Sequence, residues 1–190
     1  MPIVIGAKPE SDFADPIGML ADCHRRVERF LSVLVRLALE ARGGALTSEQ
    51  RTALETALQY FRDAAPKHTA DEEESLFPRV RGIDSPEARA VLRCVESLEG
   101  DHARAQESHQ EVERLGRAWL TSGGLSYGDA ERFSALVAGL ADLYRDHIAI
   151  EERELFPAAA RLLAEPERKA MGEEMAARRG LGKGTASRTL

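Results

Sequence analysis

The sequence predicts an all-α protein: an up-down-up-down four-helix bundle with a short extra helix at the C-terminal end. Aromatic residues make up only 5% of the chain, whereas alanine, leucine, glutamate and arginine, which favour helices, are abundant. Apolar residues recur at alternating three- and four-residue steps over four long stretches, which is the period of an amphipathic helix. Short connections join these stretches, so consecutive helices are expected to be antiparallel neighbours.

The first two predicted helices are bounded by capping residues, glycine and proline. Asp15-Pro16 places an N-cap and a first-turn proline at the start of the first helix, which is expected to stop at Gly43-Gly44. Thr47, with glutamine three residues later, opens the second helix with a capping-box pattern. Pro66 predicts a kink in this helix, and Pro78 predicts its end because proline has no N–H to continue the hydrogen-bond ladder.

The remaining helices have similar boundaries. Ser85-Pro86 opens the third helix, which is expected to end at Gly123-Gly124. The fourth helix is expected to start between Ser126 and Asp129, and a shorter fifth helix at Pro166. The five predicted helices therefore account for most of the chain.

These boundaries predict one domain with two terminal appendages. A chain of 190 residues, 43% of them hydrophobic, can form one domain of ordinary size with a buried core. We predict an N-terminal arm at residues 1–14 and the four-helix bundle at 15–163. The short helix and a disordered tail are expected at 164–190.

Composition also narrows the expected partners and location. The net charge of −6 argues against nucleic-acid binding. No apolar run is long enough to span a membrane and no signal segment opens the chain, so we expect no membrane partner and a cytoplasmic location. Cys23 and Cys94 lack CxxC spacing and are expected to be small buried residues rather than disulfide or zinc ligands.

One motif occurs twice in the chain. A histidine, a glutamate four residues later and a Leu-Phe-Pro tripeptide beginning four residues after that recur 79 positions apart, first at 68–78 and again at 147–157. A lone histidine precedes each copy, His24 by 44 positions and His102 by 45. Four of the five histidines therefore belong to one duplicated pattern.

The duplicated motif predicts a metal site. Residues four apart lie on one helix face, so each copy directs an imidazole and a carboxylate toward one point. One such pair on a solvated face would only stabilise a helix, and a polar core without metal is the alternative for the whole set. Burying so many ionisable groups without a ligand would cost on the order of several kcal/mol. Four imidazoles and two carboxylates suit two first-row metal ions better than one tetrahedral zinc. The candidate ligands are His24, His68, Glu72, His102, His147 and Glu151.

In the order and spacing of these residues and in the Leu-Phe-Pro tripeptides, residues 16–160 resemble the hemerythrin-like HHE cation-binding domain family. The resemblance implies a four-helix bundle around a non-haem di-iron centre. It also implies terminal histidine ligands and two iron ions bridged by the glutamates and by an oxo or hydroxo group. Members of the family include oxygen carriers, sensors of O2 or NO, iron regulators and proteins that repair iron-sulfur centres.

The chain departs from the oxygen carriers at Gln106. Oxygen-carrying hemerythrins have a second histidine on the third helix, four residues after the first, and here that position is glutamine. One metal therefore loses an imidazole, which leaves more positions open and makes the pattern closer to the sensor and repair members. The repair members usually have a cysteine-containing N-terminal segment, and residues 1–14 contain no cysteine, which argues against repair.

Several neighbours of the candidate ligands have predicted roles. His109 is displaced by about 10 Å along the helix from His102 and is expected behind the ligands or at the surface. Glu28 either supports a ligand or forms a solvated salt bridge. Glu73 and Glu152 are expected to point about 100° away from the ligand face into solvent. Tyr144 is expected to pack rather than donate a hydrogen bond near the metals.

Three functions fit the sequence. The leading hypothesis is a di-iron protein that binds or senses O2, NO or peroxide. The second is a di-iron redox enzyme or an iron-sulfur-centre repair protein, and whether the chain is an enzyme stays open. The third is iron sensing or storage, in which metal binding stabilises the bundle without redox chemistry.

Overall fold

The protein is all-α over the residues that the computed structural model describes, which are 10–181. No strand occurs among them, so the prediction of an all-α protein is confirmed. The helices are α1 (Pro16–Ala41), α2 (Ser48–Asp63), α3 (Ala65–Ala70), α4 (Phe77–Arg81), α5 (Pro86–Ser122), α6 (Tyr127–Ile150), α7 (Phe156–Leu162) and α8 (Glu165–Arg178), with π-helical turns π1 (Asp71–Leu76) and π2 (Glu151–Leu155). None of these helices combines the length and the hydrophobicity that a membrane span requires.

The predicted helix starts are capped as their sequences indicate. The Asp15 carboxylate accepts a hydrogen bond from the Gly18 N–H at 3.0 Å, and Thr47 forms a capping box with Gln50 at the start of α2. Ser85 and Ser126 cap α5 and α6 in the same way. These caps satisfy N–H groups that have no partner within their own helix.

The fold contains four long helical rods: α1 is the first, α5 is the third, and the second and fourth each consist of several consecutive helical segments. The second rod runs through α2, α3, π1 and α4, and the fourth through α6, π2 and α7. The second rod is interrupted at Ala64, two residues before Pro66, where the sequence predicts a kink. The predicted end at Pro78 is wrong, because the rod continues to Arg81.

The π-helical turn explains why Pro78 does not end the rod. The N–H of Phe77 bonds to the carbonyl of Glu72, five residues back, so the turn ahead of the proline is wider than an α-helical turn. A wider turn moves away the carbonyl that the proline ring would otherwise meet. The same arrangement is repeated in π2, where the N–H of Phe156 bonds to the carbonyl of Glu151.

The rods enclose two separate apolar clusters. One cluster includes Leu34, Leu58, Trp119 and Phe133, and the other includes Leu20, Phe77, Leu98 and Leu155. Helix α1 packs against α2 and α6, and α5 also packs against both, so each rod has two neighbours. In the first three rods the candidate ligands lie between the residues of one cluster and those of the other. In the fourth rod the change of cluster falls between His147 and Glu151, from Ile148 to Ile150.

Helix α8 covers one end of this arrangement and is held there by buried charge. Asp71, which is fully buried, bonds to Arg178 at 2.8 Å and to Arg179 at 2.7 Å. Arg79 and Glu174 form a further ion pair at 2.7 Å. Helix α8 is therefore attached to π1, the segment that carries Glu72.

The two predicted appendages are only partly described. Residues 10–14 are not helical, and Glu10 pairs with Arg26 at 3.0 Å while the Ser11 N–H bonds to Asp22 at 2.6 Å. The short C-terminal helix is present as α8 and begins one residue before Pro166. The rest of the predicted arm and most of the predicted disordered tail lie outside the described residues.

Candidate metal centre

The six candidate ligands converge on one buried point from all four rods. Their donor atoms form two groups, within each of which the atoms lie within 4.8 Å of one another. Both groups contain the same two carboxylates, and each adds its own pair of histidines. The first group is His24, His68, Glu72 and Glu151, and the second is Glu72, His102, His147 and Glu151. All six residues predicted from the sequence are therefore brought together.

The two glutamates lie between the two histidine pairs. Oε1 of Glu72 is 3.3 Å from Nε2 of His68, while Oε2 is 3.4 Å from Nε2 of His102. Oε2 of Glu151 is 3.0 Å from Nε2 of His24 and 3.2 Å from Nε2 of His147. Each carboxylate thus faces both histidine pairs, which is the placement that a bridging carboxylate needs.

Electrostatics within the site favour bound positive charge. Burial by itself lowers the pKa of His24, but the adjacent carboxylates of Glu151 and Glu72 more than offset this effect and raise the pKa to about 10. Burial likewise lowers the pKa of His102, and the adjacent carboxylate of Glu72 raises it to about 9. The two buried carboxylates therefore attract cations, either protons on the imidazoles or metal ions in their place.

The carboxylates keep their charge although they are buried. Burial raises the pKa of Glu72, but the charge of His68 and the nearby ring of His102 lower it well below its usual value. Burial and the charge of Glu72 raise the pKa of Glu151, but the nearby ring of His147 brings it below the usual value. The site therefore contains two anionic side chains at one buried point.

Five inward-facing atoms of this site make no hydrogen bond. They are Nε2 of His24 and both carboxylate oxygens of Glu72 and of Glu151. Buried polar atoms are nearly always paired, because leaving one unpaired costs about 1–3 kcal/mol. Metal ions between the two carboxylates would give all five atoms a partner, so the residues present fit a metal centre.

Two glutamates outside the ligand set hold histidines in place. Nδ1 of His24 donates to Oε1 of Glu152 at 3.0 Å, and Nδ1 of His102 donates to Oε1 of Glu73 at 2.8 Å. The prediction that Glu73 and Glu152 face solvent is therefore wrong, and their side chains are 37% and 30% exposed. A π-helical turn rotates successive residues by less than an α-helical turn does, which keeps the residue after each ligand glutamate near the ligand face.

Both repeats support each other's lone histidine. Glu73 of the first repeat bonds to His102 of the second, and Glu152 of the second repeat bonds to His24 of the first. The phenylalanines of the Leu-Phe-Pro tripeptides follow the same rule: Phe77 stacks on His102 with ring centroids 6.3 Å apart, and Phe156 stacks on His24 at 5.2 Å. The repeated Glu-Glu doublet was a signal in the sequence that could have revealed these bonds.

Comparison with known proteins agrees with this geometry. Residues 15–159 match the hemerythrin HHE cation binding domain. The chain belongs to this family. An uncharacterized protein from Haemophilus influenzae (strain ATCC 51907 / DSM 11121 / KW20 / Rd) is 30% identical over 165 residues, which cover 87% of this chain and 90% of the relative. The protein thus has a cation-binding domain with two His/Glu clusters suited to metal.

A cavity of about 660 Å³ opens beside the centre of this HHE domain, between the α2–α3 rod and α5. His102 and Glu73 are among its lining residues, and so is Gln106, at the position where the carriers have a histidine, with an exposed side chain. Other wall residues are Leu58, Phe61, Pro66 and Val112. The cavity therefore reaches the second histidine pair from outside.

His109 and Tyr144 also line this cavity of the HHE domain and are not ligands. Nε2 of His109 lies 3.2 Å from the Tyr144 hydroxyl, and its ring stacks on Phe61 with centroids 4.3 Å apart. Burial lowers the pKa of His109 to about 4, so its imidazole is neutral at pH 7. Tyr144 packs edge-on against His147 as predicted, and its hydroxyl contacts His109 rather than a ligand.

The other predicted neighbours of the HHE centre are now placed. Glu28 is exposed and forms an ion pair with Arg25 at 3.0 Å, as expected of a solvated salt bridge. Cys23 is buried as predicted, but Cys94 is only partly buried. Burial raises the pKa of the Cys23 thiol, but the nearby His68 and then Arg26 lower it below the usual value.

Proposed function

We propose that the six clustered residues bind two iron ions and that the protein binds or senses O2, NO or peroxide at them. The observation that carries this proposal is the pair of His/Glu groups that share both carboxylates, with five buried donor atoms left without hydrogen bonds. Mixed imidazole and carboxylate donors suit iron and other first-row metals. The family match supports a cation in this place.

The number of protein donors per ion supports a centre with free coordination positions. Two histidines and two shared carboxylates give each ion four protein residues, whereas octahedral ions take six donors. The remaining positions would admit a small ligand, and the cavity that His102 lines offers a route for it. Iron would supply redox chemistry and affinity for small oxidants, and the protein would supply a buried site of fixed shape.

We also infer that the rods form the up-down-up-down bundle expected from the sequence. Along the chain, α1 runs from the cluster that contains Leu20 to the one that contains Leu34, and the next rod runs back. Helix α5 and the α6 rod repeat this alternation, which supports antiparallel neighbours. The family match over 15–159 supports a domain at about residues 15–163.

The metal content and optical spectrum of the purified protein test the proposed function. We expect two irons per chain and a visible-range ligand-to-metal band when the reduced protein meets O2, peroxide or NO. One zinc per chain would contradict the proposal. Two irons with no band under any of these ligands would instead support iron sensing or storage.

The size of the cavity favours one alternative, a di-iron redox enzyme. A volume of about 660 Å³ is within the range of about 300–1,000 Å³ that is typical of small-molecule pockets, and a diatomic ligand needs far less. Multiple-turnover consumption of O2, peroxide or NO would support the enzyme. Stoichiometric binding that stops after one equivalent per centre would contradict it.

A further inference from the structure

The four ligand histidines differ in what their outer nitrogens bond to. His24 and His102 each donate from Nδ1 to a glutamate, as described above. His147 has a carboxylate too, since its Nδ1 lies 3.4 Å from Oδ2 of Asp101. His68 is the exception. It is 5% exposed, and its Nδ1 makes no hydrogen bond to any residue in the described part of the chain.

The exception at His68 arises from a single difference between the two repeats. Asp101 immediately precedes the lone histidine of the second repeat, and Cys23 immediately precedes the lone histidine of the first. Cys23 lies beside the His68 ring in the place where its counterpart provides a carboxylate, but its thiol accepts a hydrogen bond from Arg26 at 3.1 Å. Sulfur is a weaker hydrogen-bond acceptor than a carboxylate oxygen, so Cys23 supports His68 less than Asp101 supports His147.

Neighbouring arginines increase the difference between the two histidine pairs in how much negative charge faces their outer nitrogens. Arg25 bonds to Glu152, the partner of His24, and Arg104 bonds to Asp101, the partner of His147. Glu73, the partner of His102, has no ion pair with an arginine among the described residues. Within the described range, the pair His102/His147 therefore has two carboxylate partners, of which only one is paired with an arginine. The pair His24/His68 has a single carboxylate partner there, and that one is paired with an arginine.

A carboxylate on the outer nitrogen makes an imidazole a stronger metal ligand, because it stabilises positive charge on the ring and fixes the ring's orientation. We propose that the two metal positions are inequivalent: the His102/His147 position binds a divalent cation more tightly, and the residue pair Cys23/Asp101 sets the difference. This inference rests on the proposed binding of two ions by the six residues. Cys23 and Asp101 are positioning residues, because they act through His68 and His147.

Zinc titration of the metal-free protein, followed by NMR of the imidazole protons, tests the order of filling. Zinc is diamagnetic and redox-inactive, and the chain has only five histidines to resolve. We expect the His102 and His147 signals to shift with the first equivalent and those of His24 and His68 with the second. Simultaneous filling, or filling of His24 and His68 first, would overturn the inference while leaving the two-metal site intact.

Exchange of the two positioning residues gives the sharper comparison. The double variant Cys23→Asp with Asp101→Cys moves the carboxylate from one repeat to the other, and we expect it to reverse the filling order. Asp101→Asn, at a residue that is 13% exposed, avoids a new charge in the core and should weaken the tighter position by about 10-fold. Cys94→Ser, at a cysteine outside the centre, is the control and should leave the order unchanged.

Three outcomes of this comparison would count against the inference. An unchanged order in the folded exchange variant would overturn it, as would unchanged affinity in Asp101→Asn. Failure of the unmodified protein to bind zinc or iron at all would overturn the proposed function as well, which separates the two failures.

Discussion

At the scale of single residues, Glu72 and Glu151 give the centre its buried negative charge. Both carboxylates are fully buried and neither has a hydrogen bond from any described residue, yet nearby imidazoles keep them charged. Two like charges at one buried point repel each other, so a cation between them should stabilise both. Each glutamate is shared, so a change at either one affects both metal positions.

Glu72→Gln tests this sharing. Glutamine keeps the volume but removes the charge that both histidine pairs face, so we expect fewer than one tightly bound iron per chain. Because a buried charge is also removed, the folded metal-free variant should be at least as stable as the unmodified metal-free protein. Elemental analysis and thermal unfolding measure the two effects. Glu28→Gln, at an exposed glutamate, is the matched control, and two irons retained in Glu72→Gln would contradict the prediction.

His109 gives a prediction about pH. Its pKa falls from 6.5 to about 4 on burial, so below pH 6.5 the unfolded chain binds a proton that the folded protein resists. Stability contributed by the neutral imidazole is therefore present above pH 6.5 and lost as the pH falls toward 4. The loss should reach about 3 kcal/mol near pH 4.

Urea unfolding of the metal-free protein at several pH values measures this loss, with His109→Gln as the comparison because glutamine does not titrate. The difference in stability between the two proteins should change across pH 4 to 6.5 and be constant above it. A difference that does not vary with pH would show that His109 titrates normally in the folded protein.

At the scale of elements, the docking of α8 depends on a buried ion pair. Removing both Arg178 and Arg179 would leave the Asp71 carboxylate buried without a partner. Breaking a buried pair from one side costs about 3–5 kcal/mol, so we expect the double alanine variant to lose stability of this order in urea unfolding. Its metal affinity should fall too, because π1 carries both Asp71 and Glu72.

Two further variants make the α8 prediction specific. Asp71→Asn added to the double variant removes the unpaired charge and should recover part of the lost stability. Arg161→Ala, at an arginine that is 62% exposed and paired with Glu87, should cost no more than about 1 kcal/mol. An equal loss in both arginine variants would contradict a special role for the buried pair.

The sequence predicted the elements whose signals are local. Asp15, Thr47, Ser85 and Ser126 cap their helices by bonds to residues three positions away, and these bonds can be predicted directly from the sequence. The six candidate ligands were equally accessible, because duplication marked them against a background of ordinary helix residues. All six converge in the structure.

Other features depend on contacts that the sequence does not encode locally. Pro78 was expected to end a helix because the π-helical turn ahead of it was not foreseen, and the same turn explains the wrong expectation for Glu73. The burial of Asp71 requires α8 to fold back over π1 from about one hundred residues later. Tertiary packing, not local propensity, determines these positions.

At the scale of the whole molecule, the centre joins all four rods. Each rod contributes at least one of the six residues, and the site separates two apolar clusters that do not merge. A metal that binds only the folded protein stabilises it by mass action, by about 4 kcal/mol when the free ligand is a thousandfold above its dissociation constant. Metal is therefore expected to contribute a large share of the stability of the bundle.

Chelation tests this contribution. Removing metal with a strong chelator should lower the melting temperature by several degrees, and adding back ferrous ion without oxygen should restore it. Calorimetry of both forms at one pH measures the shift. The variant Glu72→Gln, which changes a carboxylate that both groups share, should show little difference between the two forms, and an equal shift in this variant would mean that the metal acts elsewhere.

The reciprocal support between the two repeats has a consequence for dissection of the chain. Residues 82–85 connect the repeats, and each group of four donors takes three from one repeat and one carboxylate from the other. A chain cut at Ile83 would therefore give two fragments, neither of which holds a complete donor set. If the two fragments reassociate, a metal ion bound between them would act as a non-covalent cross-link in place of the severed peptide bond.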